Sequence, residues 1–380
     1  MILAMIECCL MKKIIIIGAG FAGLIAAKRL SPARKKLDIT IIDKKPTSDF
    51  LPMLPDIIGR RVKADALTFL IKDFCQKQGF NFINEEVISL DLENKKALTG
   101  NNQYQYDYLI IASGTQTTFY GKNELKNNAY TLDCVEDAKK LEAAISQDKF
   151  DAYIVCGGGY TGIEIATSLR QYLKQLSKEK DIVIIEASPS ILGPLPEWMK
   201  QYVLNNLKQL NIDVLTSHTV EKSYNNDVFI SGKKTFKNAM LIWVAGVKTP
   251  DYVQNLNIEK DKKGRLLVDS YLRINENCFV AGDCANFVYK NEPLRMAVQF
   301  SIHQGSFAAI NILRSSAAKR LRKYRPIDLG YIIPLANNRS CGKVVGINLR
   351  GGLPTLLHFA MSIYRSWGLK NKLKVLEDLI

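Results

Sequence analysis

The sequence predicts an α/β protein built on two parallel sheets, and three observations carry that reading. The run Lys13-Ile14-Ile15-Ile16-Ile17 is apolar and β-branched, as a strand buried on both faces must be. The glycines of Gly18-Ala19-Gly20-Phe21-Ala22-Gly23 lead it straight into a helical stretch, Leu24 to Leu30. Some 140 residues later the pattern returns as Ala152 to Cys156, Gly157-Gly158-Gly159-Tyr160-Thr161-Gly162 and Ile163 to Ala166. Each copy is followed by a second β-branched run that closes on an acid, Ile39 to Ile42 with Asp43, and Ile182 to Ile185 with Glu186. One such motif arises easily by chance, but two complete ones in the same order do not.

A strand, a glycine turn and a helix make a cradle for a pyrophosphate. Gly18 permits the turn, Gly20 lets the phosphates approach the backbone, and Gly23 lets helix and strand pack closely. Free N–H groups and the positive end of the helix dipole then face the anion. Asp43, about 20 residues beyond the glycines, is placed to bind ribose hydroxyls. Gly157, Gly159, Gly162 and Glu186 repeat these roles, so the chain is expected to hold two dinucleotides. No arginine stands in Ala187-Ser188-Pro189-Ser190 after Glu186, which favours a free ribose 2′-hydroxyl over a 2′-phosphate.

With 380 residues, 47% of them hydrophobic and 23% charged, the chain can fold as two or three domains with a large core and is neither disordered nor fibrous. Its eight cysteines lack metal-ligand spacing, and Cys8 and Cys9 are adjacent, so neither a metal site nor a disulfide framework is expected, and a reducing compartment is. No apolar run reaches the roughly 18 residues that span a bilayer, so membrane contact is expected at the surface only. Met1 to Leu10 is too short for a signal peptide and lacks a basic start, which makes Met11 the expected first residue.

Between the two cradles, the apolar segment Phe50 to Gly59 carries Pro52 and Pro55, which argue for an ordered loop over the nucleotide rather than a regular helix. A helix is expected over Asp65 to Gln78. Residues 80 to 108 alternate apolar and polar positions around turn residues, as small antiparallel strands do. Tyr108 to Thr115 is a buried strand that ends in a small-residue turn containing Ala112 and Gly114, and it returns the chain to the first sheet. After the second cradle, Asn277 to Val280 forms a short strand closing on Gly282-Asp283, and a helix follows from Met296 to Asn311.

In this order the motifs resemble those of the type II NADH dehydrogenases, single-subunit NADH:quinone oxidoreductases that pump no protons. Four features carry the resemblance from Met11 onward: the two glycine motifs, the Pro-rich Phe50 to Gly59 segment, the Gly282-Asp283 strand, and the helix after it. It implies an α/β fold of two Rossmann-like dinucleotide-binding domains, an FAD domain (11–125 and 265–322) split by an inserted NADH domain (126–264), with a small C-terminal membrane-interface and quinone module (323–380). FAD and NADH are the implied cofactors, Asp283 holding the ribityl chain of FAD. Phe21, Ala22, Lys44, Ala112, Gly114, Tyr160, Gly246 and Gly282 join the implied cofactor contacts. The catalytic cysteine pair of soluble disulfide reductases has no counterpart, because Cys75 stands alone in that region.

The family's quinone-site pattern is Ala-Gln-x-Ala-x-Gln-x-Gly, and this chain reads Val298-Gln299-Phe300-Ser301-Ile302-His303-Gln304-Gly305. It keeps the first glutamine and the glycine and puts His303 in place of the second glutamine, which leaves the identity of the acceptor open. Gln299 and His303 share a helix face, and an imidazole can donate or relay a proton. The competing reading is a structural pair with a satisfied core histidine. Glu164 matches the family's glutamate near the meeting point of nicotinamide and flavin, although an acid in a first helical turn is also favoured by the dipole.

From Arg314 to Ile380 there are 13 Lys or Arg and 3 Asp or Glu, so ten of the fifteen net positive charges sit there. The acid-free basic run Arg314, Lys319, Arg320, Arg322, Lys323, Arg325 precedes Leu353 to Trp367. There Leu353, Leu356, Leu357, Ala360, Ile363, Tyr364 and Trp367 recur at helical spacing, with Lys370, Lys372 and Lys374 behind them. This is the pattern of a helix lying in a membrane interface, on the cytoplasmic side and without spanning it. The alternatives are a core helix docked on the nucleotide domains or the contact of a homodimer. Nucleic acid is not an expected partner, because no recognisable binding motif accompanies the charge. Two rival functions are a sulfide:quinone oxidoreductase, which needs paired redox cysteines near the flavin, and a non-catalytic NAD(H)-binding sensor at a membrane.

Overall fold

A computed structural model describes residues 11–59 and 62–379; the expectation about Met1 to Leu10, and with it Cys8 and Cys9, lies outside the described residues. The helices that matter for function are α1 (Phe21–Leu30), α2 (Leu54–Gly59), α3 (Tyr160–Gln175), α4 (Val298–Ser316), α5 (Gly352–Arg365) and α6 (Gly368–Leu379). The chain forms two compact units, one of residues 1–48, 69–116 and 247–328, the other of residues 49–68, 117–246 and 329–380.

The first unit is organised on a five-stranded parallel sheet in the order Cys278–Val280, Tyr108–Ile111, Lys12–Ile17, Leu37–Ile42, Asn81–Ile83. Lys12–Ile17 is central, so Ile14 and Ile16 are fully buried, as an unbroken β-branched run requires. α4 lies against α1, and Gly305 permits it: a Cβ there would stand 2.1 Å from the carbonyl oxygen of Ala22. Val87–Asp91, Lys96–Thr99 and Gln103–Gln105 form the expected antiparallel sheet, but Asn81–Ile83 joins the parallel sheet instead.

The second unit repeats the plan with Ala129–Tyr130, Ala239–Trp243, Ala152–Cys156, Asp181–Glu186 and Ile212–Thr216, again all parallel. A three-stranded antiparallel sheet, Gly330–Ile333, Ser340–Val344 and Ile347–Gly351, leads into α5 and α6.

Several elements differ from expectation. The Phe50 to Gly59 segment is helical: a 3-10 turn, Leu51–Met53, runs into α2. Both prolines sit in first turns, where a missing N–H leaves no bond unmade, and Met53, Leu54, Ile57 and Ile58 are buried at 1% exposure or less. The helix expected from Asp65 begins only at Ile71, because Leu70 is extended (ψ 123°), and it ends at Gly79 in the left-handed region (φ 71°). α5 stops at Arg365, before Trp367, where Ser366 turns extended, and Gly368 starts an unexpected helix, α6.

The unit boundaries also depart from the expected domain limits. Residues 117–125 go with the second unit, where Trp243 Nε1 donates to the Thr118 carbonyl (3.0 Å) and Lys122 Nζ to that of Val220 (2.7 Å). Residues 247–264 go with the first, whose core includes Tyr252 and Val253. Residues 329–380 complete the second unit rather than standing apart: Ala336 N donates to Thr167 Oγ1 (3.2 Å), and Arg339 Nη1 to Gln209 Oε1 (2.9 Å). Among the described residues no helix is long and apolar enough to cross a membrane.

Candidate nucleotide and acceptor sites

In the first unit the strand Lys12–Ile17 delivers the glycine turn to the N-terminus of α1. Gly18 has φ 99°, and a Cβ on Gly23 would lie 1.9 Å from the Gly18 carbonyl oxygen, so neither position admits a side chain. Gly20 and Gly114 have no atom within 4 Å of where a Cβ would stand, an open floor of the kind a pyrophosphate needs. Phe21 and Ala22 begin α1, and Ala112 follows the strand Tyr108–Ile111. Asp43 accepts from Ala19 N (2.7 Å) and Lys45 N (2.8 Å); burial nonetheless pushes its carboxyl up. Lys44 points to Glu86 at 3.0 Å.

Gly282-Asp283 sits in a 3-10 turn after the strand Cys278–Val280. Burial pushes the Asp283 carboxyl up, and the Arg265 guanidinium and a hydrogen bond from Ser301 partly offset this. Gly282 N donates to Gln304 Oε1 at 2.8 Å, so α4 fixes the backbone that carries Asp283. Open glycine floor, strand-end acid and buried second acid on one sheet fit an FAD molecule.

The second cradle has the same geometry. Gly157 has φ 119°, a Cβ on Gly162 would stand 1.8 Å from the Gly157 carbonyl, and Gly159 is open. Both oxygens of Glu186 are held, by Gly158 N and Ser188 N at 2.7 Å each, so its carboxylate is fixed at the strand end. Gly246 has φ 78°, and its Cα is covered by the Tyr120 hydroxyl. Tyr160 opens α3 and meets Tyr331 edge-on at 6.5 Å between centroids. These features fit a second dinucleotide.

Glu164, on α3, is half-buried beside α2. Burial first, and then the Asp56 carboxylate, push its own carboxyl well above the usual range. The two acids line a cavity of ≈ 10 Å³ with Ser168, Pro334 and Leu335, about the room one water needs. Asp56 carries no sequence signal, since the prolines around it read as a loop.

On α4 of the first unit, Gln299 and His303 both meet the irregular segment that follows the helix. Gln299 Nε2 donates to Asp328 Oδ1 (3.0 Å), and Asp328 is gripped by Arg295 through two bonds of 2.6 and 2.7 Å. His303 packs against Tyr324 and Phe307, and burial lowers its pKa. Its Nδ1 is buried without a hydrogen-bond partner among the described residues. Gln304, Ser301, Asp328 and Tyr324 are contributors that sequence reading missed. Only Gln304 had a signal, its place beside position 303 of the quinone-site pattern.

Among the described residues Cys75, Cys156, Cys278, Cys284 and Cys341 are buried free thiols, and Cys134 is partly buried. Burial pushes the thiols of Cys156 and Cys341 to about 12 each, so neither ionises near neutral pH.

Residues 12–305 match the pattern of the pyridine nucleotide-disulphide oxidoreductase family. A type II NADH:quinone oxidoreductase of Staphylococcus aureus is 26% identical over 371 residues, which cover 90% of this chain and 91% of the relative. The structure of NDH2 from Plasmodium falciparum in complex with NADH superposes with a TM-score of 0.85 at 19% identity, over 97% of this chain and 98% of that one. The sulfide:quinone oxidoreductase of Aquifex aeolicus follows the same fold with a TM-score of 0.80 at 19% identity, over 95% and 92%.

Proposed function

This chain belongs to the pyridine nucleotide-disulphide oxidoreductase family, and from that premise we propose that it is an FAD-dependent NADH:quinone oxidoreductase of type II, passing electrons from NADH to a membrane quinone without pumping protons. The observation that carries the reading is the pair of complete dinucleotide cradles, each with its own sheet, open glycine and strand-end acid. Bound FAD supplies hydride acceptance and electron transfer to the quinone; the residues supply placement and electrostatics.

The first unit acts as the FAD domain: Gly18, Gly20 and Gly23 admit the pyrophosphate, Asp43 binds ribose, and Asp283, held in place through Gln304, binds the ribityl chain. The second unit acts as the NADH domain, with Glu186 selecting the free 2′-hydroxyl. The carboxyl of Glu164, pushed up by burial and by Asp56, holds its proton more tightly than a free glutamate and acts as a hydrogen-bond donor in that form. Gln299 and His303 line the acceptor site. The sulfide:quinone reading is disfavoured by the chemistry of Cys156 and Cys341, whose buried thiols are poor nucleophiles.

Membrane attachment is assigned to α5 and α6, peripherally and on the cytoplasmic face. α5 is turned inside out relative to a soluble helix: Thr355 and Ser362 are buried, and Leu356 and Tyr364 are 66% and 72% exposed. Leu369, Leu373 and Leu376 continue the exposed apolar surface on α6.

Steady-state assays with purified, FAD-loaded protein and a water-soluble quinone test the function. NADH is expected to drive quinone reduction, and sulfide is not. Turnover with sulfide but not NADH would replace this reading with its rival, and FAD binding without turnover on either donor would leave the sensor.

A further inference from the structure

After α4 the chain turns back and residues 319–329 run along the helix in the opposite direction. Asn311 exchanges hydrogen bonds with the backbone of Arg322 (3.0 and 2.9 Å), His303 meets Tyr324 with centroids 5.1 Å apart, and Gln299 reaches Asp328. Tyr324 N donates to the Ser270 carbonyl at 2.7 Å, which fixes the strap over the helix. Two buried polar atoms on this contact have no partner among the described residues: Nδ1 of His303 and the hydroxyl of Tyr324. Tyr324 is 3% exposed and is walled by Phe287 and Phe307, at 4.9 and 5.5 Å between centroids.

An unpaired hydroxyl in an aromatic shell destabilises a fold, so its presence asks for a reason. The two orphans are chemically complementary. A phenol donates, and Nδ1 of an imidazole whose proton sits on Nε2 accepts.

We propose that Tyr324 is a positioning residue for quinone reduction: its hydroxyl, directly or through one water, donates to Nδ1 of His303 and holds the imidazole with its proton on Nε2, where that N–H hydrogen-bonds the carbonyl oxygen of the acceptor. The proposal rests on the quinone reading of the acceptor site. It gives position 303 the same kind of donor that the amide of a glutamine would offer, fixed by a second residue that a glutamine does not need. Burial lowers the pKa of His303 and raises that of Tyr324, so both are uncharged at neutral pH, as the arrangement requires. Charge builds on the quinone oxygen as the electron pair from NADH arrives, and a donor already aimed there stabilises it without reorganising. Overall, NADH, one proton from water and the quinone give NAD⁺ and quinol, and both residues end as they began.

A double-mutant cycle of Tyr324→Phe and His303→Gln in the FAD-loaded full chain tests this. Flavin reduction by NADH and its reoxidation by a short-chain ubiquinone are timed separately, and the melting temperature of each variant is measured. Tyr324→Phe is expected to slow reoxidation about tenfold relative to flavin reduction while the melting temperature shows that the variant stays folded, because one hydroxyl and its bond to His303 are lost and the aromatic packing is kept. In the His303→Gln background the same change should alter reoxidation by less than roughly twofold, since the residue through which Tyr324 acts is gone. No effect in either background, or an equal loss in both, would overturn the proposal. Nitrogen NMR of the three histidines gives an independent readout at neutral pH: Nδ1 of His303 is expected unprotonated, and a proton there would also overturn it. Flavin that is bleached by NADH but never reoxidised by quinone in the unaltered protein would remove the acceptor reading itself, whereas normal reoxidation without a Tyr324 effect removes only this inference.

Discussion

Two glutamates show how the same side chain is set to opposite tasks. Glu186 is held at its strand end by two backbone N–H groups, the place from which the proposed function has it bond ribose hydroxyls and repel a 2′-phosphate. Glu186→Gln is therefore expected to narrow the preference for NADH over NADPH about tenfold, roughly 1.4 kcal/mol, measured as the ratio of the two flavin-reduction rates; equal rates in the unaltered protein would refute the assignment. The carboxyl of Glu164 is pushed up by burial and by Asp56. An acid raised in this manner binds its proton more tightly folded than unfolded, so it costs stability once the pH rises above the ordinary glutamate range and costs nothing well below it. Glu164→Gln should then raise the melting temperature at pH 8 by roughly 2–4 °C or more, with the gain fading toward pH 4. A gain that grows on acidification would mean that the carboxyl is charged in the fold.

At the scale of elements, the glycine cradles were legible because each depends on contacts within about thirty residues: strand, turn, helix and acid follow one another in the chain. The helix α2 was not, since two prolines three apart suggested a loop, and only their places in successive first turns make them compatible with helix. Asp56, Tyr324 and Asp328 were invisible for a different reason: Asp56 meets Glu164 only through the packing of distant helices, and Tyr324 and Asp328 lie on an irregular segment that no local pattern marks. The amphipathic spacing of α5 was legible, but not which face would be covered. The Ser340 and Thr355 hydroxyls pair at 2.6 Å and seat the polar side of α5 on its sheet, leaving the leucines outside. Residues 63–68 hold α6 through Lys63 N to Asp378 (2.8 Å), the Lys374–Asp65 ion pair and Asn371 to the Thr68 carbonyl (3.1 Å). Cutting the chain near Lys323 would thus strip packing from the second unit, and surface substitutions are the cleaner probe. Leu356→Glu with Tyr364→Glu is expected to abolish sedimentation with anionic vesicles at low salt while leaving the melting temperature within about 2 °C, since both side chains are exposed. A large drop in stability would place this face against protein instead.

For the whole molecule, the proposed electron transfer is served by two nucleotide cradles and by a charged, apolar C-terminal stretch that carries ten of fifteen net positive charges. Attraction of that stretch to anionic lipid is screened by salt, while burial of the leucines is not, so high salt should release the protein from vesicles only in part. Duplication of the cradle made the two-nucleotide plan readable from the sequence, but the division into units was not, because residues 247–264 and 329–380 join their units through packing that no motif marks. The most direct test of the central claim is anaerobic and sequential. One equivalent of NADH should bleach the bound flavin fully, and a stoichiometric addition of a soluble quinone should restore its spectrum with no other donor or acceptor present. Flavin that NADH leaves oxidised, or reduced flavin that quinone cannot reoxidise, would contradict it.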